Sequence, residues 1–198
     1  MRQRGRAGFT LLEIMIAVVI MTIGAAGILA MQGASVRSNQ DANETSTAIN
    51  FATTWMERFK RDARLWTAVG SAPLASTQYL SNALTVPPAW VVPAAVAPES
   101  AGADYFGFDT PIATGDVRYC VNARFTQAHL FNGNLDAIRV DVLVWWHRSS
   151  FNDSTRASAT CATALTAAQI ASVGAQDRQI RKHFLSEVVT WRDPTVWP

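Results

Sequence analysis

Between residues 9 and 36 the chain is almost wholly apolar, and Glu13 is the one charged side chain in that run. A helix needs about 20 such residues to cross the hydrocarbon of a bilayer, so the run predicts a membrane-length helix. After Gln32 the pattern becomes periodic. Ile49, Ala52, Met56, Phe59, Ala63 and Trp66 recur at three- and four-residue steps, which places them on one helical face with Glu57, Arg61 and Arg64 turned elsewhere. The two patterns read as one helix from about Phe9 to Trp66, roughly 85 Å long. Its first half is lipid-soluble and its second half forms core.

Residues 70–115 have a different texture. Pro73, Pro87, Pro88, Pro93, Pro98 and Pro111 interrupt any long element, so this stretch is expected to be one long connection with short pieces at residues 79–84 and 90–92. Alternation then takes over. Val117, Tyr119, Val121, Ala123 and Phe125 alternate with Arg118, Cys120, Asn122 and Arg124, the pattern of a strand with one buried face. Ile138, Val140, Val142, Val144 and Trp146 do the same against Arg139, Asp141 and Leu143. Between them Phe131-Asn132-Gly133-Asn134 supplies hairpin-turn chemistry. A third run, residues 183–191, closes the sheet, and residues 149–179 before it hold Cys161 and a short helix at 167–173. The expected fold is α+β: a long N-terminal helix whose second half covers one face of a small antiparallel sheet.

Charge refines this picture at the N-terminus. The formal net charge is +2, but Arg2, Arg4 and Arg6 precede the apolar run. Without the first eight residues, 14 of the 17 Lys+Arg remain against 15 Asp+Glu, which leaves no basic surface for nucleic acid. A basic leader before a membrane-length helix stays cytoplasmic, so the C-terminal bulk crosses. Ala25-Ala26-Gly27 could pass for a secretory cleavage site, but the apolar run continues through Ile28, Leu29 and Met31. The carboxylate at Glu13 also counts against a simple signal peptide, because a charge in such a helix is costly and serves a function. Export favours one disulfide between the two cysteines, Cys120 and Cys161, over two unrelated thiols. Closing that loop would stabilise the fold by about 4 kcal/mol.

Gly8-Phe9-Thr10-Leu11-Leu12-Glu13 resembles the cleavage and methylation motif of type IV prepilins and of type II secretion pseudopilins. The resemblance implies cleavage between Gly8 and Phe9 by a membrane aspartyl prepilin peptidase, followed by N-methylation of the Phe9 amine. It also implies that Glu13 pairs with the N-terminal amine of a neighbouring subunit. An unpaired carboxylate in a low-dielectric filament core is expensive, so that pairing would select one axial register. The stretch from Ile23 through Gly24 and Gly27 to Gln32 is similar to that of PilV-type minor pilins. Gly24 and Gly27 there supply either flexibility or close helix packing.

What the resemblance implies is a noncatalytic minor pilin in a complex that primes pilus assembly, with other minor pilins, the major pilin and the inner-membrane assembly platform as partners. The chain would cross the inner membrane once with its head in the periplasm, and then reach the pilus and cell surface. Motility, adhesion or DNA uptake would follow. A minor pseudopilin of a type II secretion system is the alternative. The segments on this reading are a leader (residues 1–8), a membrane and filament-core half-helix (9–36), an amphipathic half-helix (37–68), a Pro- and Ala-rich loop (69–116) and a sheet head (117–198).

No constellation of residues points to catalysis. His129, His147 and His183 are far apart and lack metal-ligand spacing, and no phosphate-binding glycine loop or nucleophile motif occurs. Asp104, Asp109 and Asp116 do not have the spacing of a calcium loop, so neither metal nor cofactor is expected. Trp145-Trp146 puts one ring on each face of its strand, one buried and the other near the surface. The outward ring would pack under the long connection or meet another subunit. Asn43-Glu44-Thr45, expected to be exposed, and Asn152-Asp153-Ser154 match glycosylation triplets that often arise by chance.

Overall fold

The computed structural model describes residues 10–67, 74–84, 88–93, 96–114, 116–131, 134–147 and 180–191, together with positions 161, 166, 168 and 170. The chain divides into two units between Asn43 and Glu44. Helix α1 (Leu11–Ala63) supplies all the described secondary structure of the first unit and the helical layer of the second. It contains no proline, and Lys60 and Arg61 in its last turn suit the negative end of the helix dipole. Beyond Ala63 the N–H groups of Leu65 and Trp66 bond back to Asp62 and Ala63 at 3.0 Å, a tightened turn that ends the helix.

The second unit is α+β. Among the described residues, five antiparallel strands follow α1: β1 (Trp90–Val91), β2 (Gly102–Ala103), β3 (Tyr119–Phe131), β4 (Asn134–His147) and β5 (Ile180–Thr190). Their order is β1-β3-β4-β5, and β2 also pairs with β3. Alternate residues of β3 and β4, including Tyr119, Val121, Phe125, Val140, Val142 and Trp146, form one core with Phe51, Trp55, Met56 and Phe59 of α1. Phe59 meets Phe125 edge to face with ring centroids 5.3 Å apart.

The helical stripe differs from its sequence reading at one end. Ile49 is 40% exposed, whereas Ala48, Phe51 and Trp55 are buried. At 3.6 residues per turn, Ile49 falls about 90° from the centre of the buried face, while the other expected positions lie within it. The long connection carries the short pieces expected at residues 79–84 and 90–92, as a 3-10 turn (Leu80–Leu84) and β1, and adds β2 beyond that expectation; both strands pair with β3. Gly102 is required there, because a Cβ would lie 2.8 Å from Val117 Cγ1 and 3.2 Å from Thr110 O.

Trp145 and Trp146 do point to opposite faces, yet both are buried. Trp146 faces α1, whereas Trp145 joins Trp90, Val117, Cys120, Leu143 and Cys161 in a second apolar cluster on the other face. Of the two expected fates of the outward ring, packing under the long connection is the one found, through Trp90, so Trp145 is covered rather than near the surface and is not available to another subunit. The Trp145 indole donates to Asn122 Oδ1 at 2.9 Å. Cys120 and Cys161 form a disulfide with a Cα separation of 5.2 Å. The turn at Asn132-Gly133, the triplet at Asn152 and most of the helix expected at 167–173 lie outside the described residues.

Candidate functional site

Thr10 starts α1. Its carbonyl accepts from the N–H groups of Glu13 and Ile14 at 3.1 and 3.3 Å, and its hydroxyl oxygen accepts from the Glu13 N–H at 3.3 Å. Thr10 thus satisfies donors that the first helical turn leaves open. Glu13 lies in that turn, where a carboxylate suits the helix dipole, and it is exposed. Gly8 and Phe9 lie outside the described residues.

From Leu11 to Gln40 every residue is exposed, including Leu11, Leu12, Ile16, Val19, Ile20, Ile28 and Leu29. The helix is long and apolar enough to cross a membrane. A helix that is apolar all round is suited to lipid or to other helices, since each large apolar side chain removed from water is worth about 1.5–3 kcal/mol. α1 continues without a break through Gly24, Gly27 and Gly33, and nothing lies within 4 Å of a Cβ built at any of them.

The part of α1 in the second unit buries polar groups instead. Glu44, expected to be exposed, is 2% exposed. Its carboxylate accepts from Arg118 Nη2 at 3.0 Å and from the Trp146 indole at 3.3 Å. Asp62 accepts backbone N–H bonds from Gln78, Tyr79 and Leu80 at 2.8, 2.7 and 3.0 Å, which fixes the start of the connection. Arg58 stacks over Trp55 with its guanidinium 4.7 Å from the ring centroid, and it forks onto the Asp109 carboxylate.

Glu99 accepts from Arg61 and, at 2.6 Å, from the Tyr79 hydroxyl. Burial alone would raise the Glu99 carboxyl, but these hydrogen bonds and the Arg58 and Arg61 charges hold it below its usual value. Burial and the bond to Glu99 push the Tyr79 hydroxyl well above its usual range. Sequence reading missed these anchors. The signal available was a pair of charges, Arg58 and Asp62, four residues apart beside the aromatic stripe.

The residues weighed for metal or acid–base chemistry are dispersed among structural tasks. Asp104 accepts from the N–H groups of Phe106 and Phe108, and Asp109 is held by Arg58. His129 contacts Asp136 at 2.7 Å, whereas His147 and His183 lie on β4 and β5. Among the described residues no group of three or more His, Cys, Asp or Glu could hold a metal ion. The most buried carboxylate of the sheet, Asp141, accepts from Arg124 at 2.7 Å, Arg139 at 3.0 Å and Ser186 at 2.6 Å. Burial would raise its carboxyl, and these three donors outweigh that effect and hold it low.

Residues 3–29 match the family described as the prokaryotic N-terminal methylation motif, the type IV prepilin signature. No curated protein and no solved structure matches the chain. The matched span covers Arg4, Arg6, the Gly8-Phe9 pair, Glu13 and most of the apolar run. The N-terminus therefore carries the type IV prepilin signature, followed by an apolar helix that fits membrane anchoring.

Proposed function

We propose that this chain is a noncatalytic minor pilin of a type IV pilus system, of the PilV-like kind, which promotes pilus assembly from a priming or tip complex. The observation that carries the reading is the prepilin signature at residues 3–29, followed by a helix apolar on every side. Prepilin peptidase cleaves between Gly8 and Phe9, and the new Phe9 amine is methylated. The chain waits in the inner membrane with its head in the periplasm. It then enters the filament through residues 9–36, alongside other minor pilins and the major pilin, drawn by the assembly platform. Glu13 pairs with the N-terminal amine of a neighbour, which neutralises both charges as they leave the membrane and sets the axial register.

Deleting the gene and restoring it as wild type or as Glu13→Ala tests this. The expected result is loss of surface pili on deletion and recovery with the wild type. The variant should be processed and N-methylated, as read by mass spectrometry of the N-terminal peptide, yet be incorporated into pili at least tenfold less. Normal piliation with loss of a secreted protein would instead assign the chain to a type II secretion pseudopilus. Normal incorporation of Glu13→Ala would remove the role given to that residue.

A further inference from the structure

Residues 104–109 leave β2 as a short tied loop. The Asp104 N–H donates to Phe108 O at 3.0 Å, and the Gly107 N–H donates to Asp104 O at 3.1 Å. The Asp104 carboxylate accepts from the N–H groups of Phe106 and Phe108, both at 2.9 Å. Asp109, at the far end, is bound by Arg58 and accepts from the Ser100 N–H at 3.1 Å. Gly107 has φ +87°, which L side chains rarely adopt, and a Cβ there would lie 2.9 Å from Thr47 Cγ2. The loop is thus packed against the first turns of α1 in the second unit.

What this scaffold displays is aromatic. Tyr105, Phe106 and Phe108 are 51%, 74% and 70% exposed, and the first two rings meet edge to face at 5.6 Å. Exposing three neighbouring aromatic rings on a firmly held loop is unfavourable in water and marks a contact surface. Both flanking carboxylates are already satisfied within the loop and by Arg58, so the rings can leave water without drawing an unpaired charge with them.

We infer that this loop is the contact of the unassembled head with the bilayer surface, with Tyr105, Phe106 and Phe108 entering the headgroup region. The inference rests on reading residues 9–36 as the membrane segment. Its further support is the length of the tether. Seven residues, Arg37–Asn43, separate the apolar run from the second unit, which begins at Glu44, and Thr47 lies about one turn further on. Whatever path those residues take, they span at most about 30 Å. The rings are therefore held close to lipid at high effective concentration. Aromatic side chains settle at membrane–water interfaces because their apolar rings and polarisable edges suit the headgroup layer. Residues 104–109 contain no Lys or Arg, so the contact should form on zwitterionic lipid and change little with salt.

The chain has three tyrosines, which makes fluorine NMR of the full chain labelled with 3-fluorotyrosine a direct test. Tyr79 and Tyr119 are 2% and 0% exposed in the core and act as internal references. In phosphatidylcholine nanodiscs carrying a nitroxide-headgroup lipid, the Tyr105 line, assigned with Tyr105→Phe, should broaden at least threefold more than either reference. Replacing both phenylalanines (Phe106→Ser with Phe108→Ser) should remove most of that excess while the Tyr79 and Tyr119 shifts stay in place, showing that the fold is kept. A Tyr105 line as narrow as the references overturns the inference. Broadening by a spin-labelled second copy but not by lipid also overturns it, in favour of subunit packing. If the chain fails to float with lipid at all, the membrane reading fails with it, whereas flotation with a narrow Tyr105 line leaves that reading intact.

Discussion

The two parts of α1 share one secondary structure and have opposite chemistry. Residues 11–40 are exposed throughout and mostly apolar, whereas the segment from Glu44 to Ala63 buries Glu44, Arg58 and Asp62 beside Phe51, Trp55 and Phe59. The first part has no apolar partner within the described chain, and its environment must be supplied by lipid or by other helices. The second part carries its own environment, because each buried charge meets a donor or acceptor from the connection or the sheet. Helix formation says nothing about this difference. The arrangement of polarity around the helix decides it.

Matched substitutions should separate the two parts. Phe59→Ala removes a fully buried ring from contact with Trp55, Tyr79 and Phe125, and should lower head stability by about 3–5 kcal/mol in chemical denaturation of the full chain in detergent. Asp62→Ala leaves the N–H groups of Gln78, Tyr79 and Leu80 without their acceptor and should cost about 2–3 kcal/mol in the same measurement.

A third test uses acid. Glu99 and Asp141 are held below the ordinary values of 4.5 and 3.8, so their contribution is full above those values and is lost as pH falls through the folded-state values. Stability of the head should be flat near neutrality and fall below about pH 4.5, and Glu99→Gln should make that fall shallower. The smallest effects should come from Ile20→Ala in the apolar part and Lys60→Ala at the exposed pair with Glu187. Each should change head stability by less than about 1 kcal/mol. A large loss from Ile20→Ala would break the comparison, since it would show that the apolar part supports the head.

Much of this arrangement was legible because long patterns are hard to mimic by chance. The apolar run and the alternation of β3 and β4 each repeat one physical demand over many residues, and the short prepilin motif is made specific by the basic residues before it and the apolar helix after it. The pattern puts the last strand at 183–191 whereas it runs from Ile180 to Thr190, since pattern alone leaves strand ends uncertain by a few residues. Single buried charges were illegible for the opposite reason. Nothing in Asn43-Glu44-Thr45 states that Arg118 and Trp146, far along the chain, will close over the carboxylate. For Trp145 the pattern offers the long connection or another subunit as its cover, and the structure supplies the first through Trp90 of β1, with Cys161 added. The piece expected at residues 90–92 is found as β1, whereas β2, also two residues long, is too short for any period to show.

The place of the disulfide along the chain has a consequence for export. Cys161 bonds to Cys120 on β3, and it precedes β5, which completes the sheet against β4. If the head is exported as proposed, with the leader left on the cytoplasmic side, it emerges in chain order, and β3, β4 and Cys161 precede β5. The thiols can therefore close while one edge of β4 still waits for its last partner. Oxidation at that moment would hold the outer cover over Trp145 and shelter a sheet that is still unfinished. On this schedule the bond acts as a clamp for assembly in transit as well as a brace for the finished head.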